Sequence, residues 1–346
     1  RLVNAPSLER DLLADGAVLH RSSDAELLLH LIARSGQRTL INRVVDALSQ
    51  ARGGFAVLLA SEGTLVAVRD PLGIRPLVIG RRGPAALVAT ESRAIARMGG
   101  VEVREVEPGE MVILDRDGLT SLYPFPRQEP RPCLREAVAI ASHDSLNQGT
   151  SGFEVRRAIG ERLAAASPAG ADLVTALAQW SAPAAVGFAQ RSGLPYLPQL
   201  LDLGRELGDG DRRETTVTIV DPMVRGQRVV LVHDSVGPEV PWAPILRALR
   251  GAGAREVHVR VAAPPTRFPC IYGVALMPPL SPGGGDRPAD ELASAVDADS
   301  VGWLELGPLR EAVQSPADNA CDGCYSGRYP LVHEDLEQPQ LPLFEG

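Results

Sequence analysis

The chain has 346 residues, 35 basic and 43 acidic, for a net charge of −8, with 45% hydrophobic and 23% charged residues. That length suggests two domains and that mixture a packed globular protein; the acidic balance argues against a nucleic-acid partner, and no apolar run approaches the roughly 18–20 residues of a membrane span. All 35 basic residues are arginine, which excludes Schiff-base chemistry and any lysine phosphate clamp, and four cysteines are too few for a disulfide scaffold, so a reducing cytoplasm is the expected compartment.

From the amino end, Ser23 and Glu26 have capping-box spacing ahead of apolar Leu27, Leu28, Leu31 and Ile32, which predicts a helix. His30 is expected on its buried side. Short strands follow at 54–60 and 64–68, separated by Ser61-Glu62-Gly63, and again at 86–89 and 111–114, before the tight turn Asp115-Arg116-Asp117-Gly118. The stretch 123–132, with four prolines in ten residues, reads as an extended linker. The first 125 residues are therefore expected to form an α+β, mostly antiparallel domain.

Beyond the linker the rhythm becomes alternating helix and strand. Val155, Ile159 and Leu163 share one helical face. Strands are expected at 172–177, 227–232 and 256–261, two of them continuously apolar, as in a parallel sheet covered on both faces. A helix at 245–251 ends in glycine. This second domain, 126–275, is expected to be α/β, with ligands beyond the carboxyl ends of its strands. A Pro- and Gly-rich boundary at 278–286 opens a third region, 276–346, whose last sixteen residues read as an acidic, loosely held tail.

The loop after Val232, His233-Asp234-Ser235-Val236-Gly237-Pro238-Glu239-Val240-Pro241, follows an apolar strand and resembles the phosphoribosyl-diphosphate loop of type I phosphoribosyltransferases. The resemblance extends along the chain through Leu2-Val3-Asn4-Ala5, 22–26, 68–77, 106–112, Arg131-Pro132-Cys133, Asp144-Ser145, 269–273 and 321–330. These pieces, in this order, are similar to the iron–sulfur type of the amidophosphoribosyltransferase family, which makes phosphoribosylamine from glutamine and phosphoribosyl diphosphate in purine synthesis. The resemblance implies a partial Ntn-hydrolase-type glutaminase layer followed by a type I phosphoribosyltransferase-like parallel sheet.

Four departures from the family pattern follow. The family's nucleophile is an amino-terminal cysteine, whereas this sequence opens at Arg1 with no cysteine in its first 125 residues, so Asp24, matching the carboxylate that anchors the glutamine amino group, is expected to have no nucleophile to serve within these residues. The carboxylate pair of the sugar loop has become His233-Asp234. The phosphate turn has become 238–241, where two prolines remove N–H donors and Glu239 adds negative charge. Losing about three charged hydrogen bonds at ~1.5–3 kcal/mol each weakens phosphate binding by ~5–9 kcal/mol. The pyrophosphate loop has become Gln179-Trp180-Ser181-Ala182, and a flexible loop is expected to be shortened between Leu200 and Thr215. Asp234 and Ser235 are left to hold a ribose or Mg²⁺, or are a loop remnant; Trp180 stacks on a ring or fills a vacated pocket; and His233 is the one proton-transfer candidate there.

Cys133, Cys270, Cys321 and Cys324 each match a family ligand of a [4Fe–4S] cluster, which needs four thiolates. A structural zinc or unligated thiols are the alternatives. Asp24 is otherwise an acid in a helix's first turn, and Arg69, Asp70 and Arg75 an ion-pair framework rather than ligands. Two readings result. In one the chain is catalytically degenerate, a cluster-stabilised scaffold or regulatory subunit, as a homo-oligomer or paired with a paralogue or a separate amino-terminal piece. In the other it is an enzyme with an altered pocket for a different sugar phosphate or nucleotide.

Overall fold

The computed structural model describes residues 1–21, 23–147, 149–198, 200–207, 213–235, 240–274, 288–313 and 319–331, with backbone alone at 147, 202–207 and 213–216. These residues form two compact units.

The first unit holds α1 (Ala5–Ala14), α2 (Asp24–Arg34), α3 (Leu40–Gln50), β1 (Ala56–Ser61), β2 (Thr64–Arg69), β3 (Val78–Arg82), β4 (Ala85–Ala89), α4 (Ser92–Arg97), β5 (Val101–Glu105), β6 (Met111–Asp115) and β7 (Gly118–Leu122). An antiparallel sheet runs β1-β2-β6-β7, and a second runs β4-β3-β5. Alternation along β2 sends Val66 and Val68 into a core with Leu12, Leu27, Leu31, Val44 and Leu48 of the helices, and Ala67 into one with Leu77, Ile79 and Val106. Both faces of β2 are thus covered.

Ser23 caps α2 by accepting from the Glu26 N–H at 3.2 Å, but the Glu26 carboxylate does not return to Ser23. It accepts instead from the His20 and Arg21 N–H groups at 2.8 and 2.9 Å. His30 is half-buried rather than a core residue. Helices α1, α3 and α4 and strands β3, β5 and β7 have no counterpart in the sequence reading. Buried Asp70 accepts from the Phe55, Leu72 and Ile74 N–H groups at 3.3, 3.0 and 3.2 Å. Arg69 donates to the carbonyls of Arg75, Val106 and Gly73, so this pair frames the turn between β2 and β3.

The second unit contains β8 (Leu146–Asn147), β9 (Thr150–Ser151), α5 (Gly152–Ala166), β10 (Leu173–Ala176), α6 (Ala182–Ser192), β11 (Leu201–Leu207), β12 (Arg213–Ile219), α7 (Asp221–Val224), β13 (Arg228–His233), α8 (Trp242–Gly251), β14 (Glu256–Val261), α9 (Ala289–Val296), β15 (Ser300–Trp303), α10 (Leu306–Ala312) and α11 (Gly323–Ser326). Strands β10, β13, β14 and β15 form a parallel sheet in that order. Val230 and Val232 pack with Ile159, Leu163 and Phe188 on one face; Val229 and Leu231 pack with Ile245, Leu246 and Leu249 on the other. That double cover is why the strand reads as an unbroken apolar run.

The observed division differs from the expected 1–125, 126–275 and 276–346. The break falls between Pro132 and Cys133, because the Arg131 N–H donates to the Leu72 carbonyl at 2.7 Å and ties the proline stretch to the first unit. No third unit forms among the described residues. Strand β15 completes the parallel sheet, while Tyr272 and Tyr329 belong to the first unit, their rings edge-on at 6.3 Å. Gly251 lies within the last turn of α8, and the left-handed residue is Gly253. Between Leu200 and Thr215 the chain builds a hairpin, β11 pairing with β12 from Leu201↔Ile219 to Leu207↔Arg213. The expected boundary at 278–286, the tail from 332, and Pro238 and Glu239 lie outside the described residues.

Candidate functional site at the strand ends

Strands β10 and β13 are neighbours, Ala176 opposite Val232, so the segments that follow them open side by side at the carboxyl edge of the sheet. After β13, His233 Nδ1 lies 3.0 Å from the Asp234 carboxylate and 2.7 Å from the Ser235 carbonyl. The Ser235 N–H also lies 3.1 Å from Nδ1, so this ring nitrogen meets two acceptors and one donor within its own loop. The imidazole sits edge-on to Trp242, centroids 5.7 Å apart. Burial pushes the Asp234 carboxyl up, but the hydrogen bond and charge of His233, its own N–H and the Arg135 guanidinium outweigh this, so it titrates below the ordinary carboxylate range. The acid left in this loop is therefore already engaged by its neighbour. Ser235 is buried.

After β10, a single turn (Gln179–Ser181) leads into α6. Trp180 is 54% exposed, and its carbonyl lies 3.2 Å from His143 Nε2, with the two rings edge-on at 5.9 Å. Ser181 is buried, and its hydroxyl has no hydrogen-bond partner among the described residues. Behind the site Arg156, on the core face of α5, donates to the Val138 and Ala141 carbonyls at 2.7 and 2.6 Å; one of its nitrogens, Nη1, has no partner among the described residues. Burial lowers the Arg156 pKa, with the Asp234 and Glu136 carboxylates opposing. Sequence reading missed Arg156, although an arginine in register with Ile159 and Leu163 on an apolar face was the signal.

Asp24, in the first unit, accepts from the Leu2 N–H at 2.9 Å. The cysteines divide between the units. In the second, Cys133 and Cys321 form an isolated parallel bridge, and the Leu134 N–H donates to the Cys321 carbonyl at 3.0 Å. Cys324 lies in α11, three residues on, its carbonyl accepting from the Arg267 and Phe268 N–H groups at 3.0 and 3.1 Å. Cys270, two residues beyond Phe268 in the chain, belongs to the first unit. None of the four forms a disulfide. Among the described residues, no group of three or more His, Cys, Asp or Glu side chains is placed to hold a metal ion. Arg135 and Tyr325, also missed from the sequence, interact with each other and with Cys324, and Tyr325 also with Cys133. The Arg135 guanidinium acts electrostatically on Cys324, Tyr325 and Asp234, and burial drives the Tyr325 hydroxyl strongly upward, with Cys324 and Cys133 adding to the shift. No described helix is long and apolar enough to cross a membrane.

Residues 1–97 match a family described as a glutamine amidotransferase domain. A chloroplastic amidophosphoribosyltransferase of Vigna aconitifolia is 36% identical over 96% of this chain and 71% of its own length. The chloroplastic enzyme of Glycine max is 35% identical over 94% of this chain, which spans only 59% of that relative. A solved glutamine phosphoribosylpyrophosphate amidotransferase from B. subtilis, complexed with ADP and GMP, matches with a TM-score of 0.88 at 32% identity, covering 96% of this chain and 76% of the other.

Proposed function

The chain belongs to the amidophosphoribosyltransferase family, and from that footing we propose that it serves purine biosynthesis as a cluster-bearing scaffold or regulatory partner rather than as a catalyst of phosphoribosyl transfer. The observation that carries this reading is the His233–Asp234 pair. A carboxylate meant for ribose hydroxyls must be open to them; here the acid is held 3.0 Å from the imidazole beside it. The sequence that follows, with Pro238, Glu239 and Pro241, offers few N–H donors and one repelling charge to a phosphate. We place the protein in the cytoplasm, as a homo-oligomer or joined to a paralogue or a piece carrying a glutaminase nucleophile.

The proposed cofactor is a [4Fe–4S] cluster on Cys133, Cys270, Cys321 and Cys324. Four thiolates are the required donor set. The backbone bridge between Cys133 and Cys321, the short Cys321–Cys324 spacing, and the hydrogen bonds from 267 and 268 to Cys324 support that assignment. The half-buried Arg135 guanidinium, which acts on Cys324, suits an anionic sulfur group. With all four positions ligated, such a cluster would stabilise the fold and leave no open metal site for substrate.

The unpartnered Ser181 hydroxyl beside exposed Trp180 favours one second reading: a pocket for another sugar phosphate or nucleotide, with Asp234 and Ser235 on a ribose or Mg²⁺ and His233 moving a proton. Calorimetry with phosphoribosyl diphosphate and Mg²⁺ is the test. No binding at micromolar concentrations is expected, and micromolar affinity would overturn the scaffold reading. Co-purification of a second family chain supports it; nucleotide or sugar-phosphate density at Ser181 would replace it with the altered enzyme.

A further inference from the structure

We propose that Arg260, Ser300, His258 and Glu256 form a proton-operated latch, which seats the edge strand β15 on the parallel sheet at neutral pH and loosens it when His258 takes up a proton. The latch lies in the second unit, at the amino end of β15, and does not depend on what the strand ends or the cysteines hold.

Strand β15 is four residues long and pairs on one side only, with β14. A short edge strand is the part of a sheet most ready to open. Its first rung sets Ser300 opposite His258, and its last sets Trp303 opposite Val261. Side chains tie the first rung together. His258 Nε2 lies 3.2 Å from the Glu256 carboxylate, and Nδ1 lies 2.9 Å from the Ser300 hydroxyl. Arg260 Nη1 donates to that same hydroxyl at 3.0 Å. The guanidinium is anchored past the end of α5, where it donates to the Ser167 and Pro168 carbonyls at 2.7 and 2.9 Å. His258 and Arg260 are both buried.

In the neutral ring the donors and acceptors fit in one order. A carboxylate only accepts, so Nε2 carries its hydrogen toward Glu256. A guanidinium only donates, so the Ser300 oxygen accepts from Arg260 and sends its own hydrogen to Nδ1. A second proton on the ring breaks the last link. Nδ1–H and Arg260 then both aim donors at one oxygen, the Ser300 hydrogen loses its acceptor, and two cations share one buried hydroxyl. Burial, and after it the Arg260 charge, pushes the His258 pKa below its ordinary 6.5 against the opposing pull of Glu256 and Asp299.

The surrounding charges have partners of their own. Arg255 Nε lies 3.5 Å from Glu256, and Arg228 of β13 also acts on that carboxylate. Asp299 accepts from the Val257 N–H at 2.6 Å and from Arg250 of α8 at 2.5 Å. Burial pushes the Asp299 carboxyl up, but those two bonds outweigh it, so Asp299 stays charged while the imidazole titrates. Opposite His258 on β13 stands apolar Val230. A histidine whose pKa is lowered by folding contributes stability that is full above the unfolded value, near 6.5, and is lost as pH falls. Strand β15 therefore loosens on the acid side of that value.

Hydrogen–deuterium exchange of the full chain, followed from about pH 7.5 to about pH 5 and corrected for the intrinsic rate at each pH, tests the latch. Protection of the amides at 301–304 is expected to fall about threefold to tenfold, the scale of one lost hydrogen bond, while those at 229–232 in β13 keep theirs. His258→Asn keeps an acceptor near the Nδ1 position and takes up no proton, so its protection should not change with pH. Ser300→Ala should show the acid level of protection already at neutral pH. If neither variant folds, the wild-type ring decides, because its Cε1–H resonance should titrate in step with the loss of protection. Unchanged protection in the wild type, a loss that persists in His258→Asn, or an imidazole signal that stays still while protection is lost overturns the proposal.

Discussion

Cys133 and Cys321 are 188 positions apart in sequence, yet they face each other across a parallel β-bridge, with the next residue, Leu134, hydrogen-bonded to the Cys321 carbonyl. The chain between them builds nearly all of the second unit, so the bridge closes that unit on itself. If these cysteines ligate iron, Cys133→Ser, Cys321→Ser, Cys324→Ser and Cys270→Ser will each bring the iron and sulfide of anaerobically purified protein close to background. Retained iron in any of the four removes that residue from the ligand set.

Helices α5 and α6 touch through glycine. A Cβ at Gly160 would collide with the Ala184 carbonyl, and one at Gly187 with the Arg157 carbonyl, both rigid backbone. Gly160→Ala and Gly187→Ala should therefore each lower stability by ~1–3 kcal/mol or more, despite alanine's better helix propensity. Chemical denaturation measures this, and a stability gain would show that the helices part easily.

Asp322, between Cys321 and Cys324, is buried and accepts from Arg310 Nε at 2.9 Å and from the Ser326 hydroxyl at 2.6 Å. Arg310→Ala strands that carboxylate and should cost about 3 kcal/mol. Arg310→Met with Asp322→Asn removes both charges and should recover part of the loss. Equal stabilities of Arg310→Ala and wild type would mean that water replaces the arginine.

Acid should loosen the start of β10. Arg228 donates from its side chain and its N–H to Asp172, holding that carboxyl down at about 2 against an ordinary 3.8. A depressed carboxyl contributes stability that is present above the unfolded value and lost as pH falls. The loss from this pair thus falls between roughly pH 4 and pH 2. Denaturant midpoints across that range should drop less steeply in Asp172→Asn than in wild type; parallel curves would exclude the pair as a source of acid sensitivity.

Several features were legible locally. The apolar runs at 172–177 and 229–232 announced β10 and β13, because a strand covered on both faces has few polar positions to disguise it. The Ser151–Glu154 capping box marks the start of α5 in the same local way. By contrast, the Ser23–Glu26 spacing misled in one respect: the His20 and Arg21 N–H groups compete for the Glu26 carboxylate and win it. Strands β3 and β5 escaped notice because Gly80 and a register shift break the alternation where they pair.

Sequence alone determined the chemical inventory: four cysteines, an arginine-only cation set, an altered sugar loop and the order of family motifs. Only the tertiary structure decided which of these meet. It set His233 against Asp234, left the Ser181 hydroxyl buried without a partner among the described residues, and placed Arg135 beside Thr266 and Arg156 beside the Val138 and Ala141 carbonyls. Spacing in a chain reports only neighbours within a turn or a hairpin. Burial and long-range pairing, which set the cost of an unmatched charge or hydroxyl, exist only once distant segments have packed.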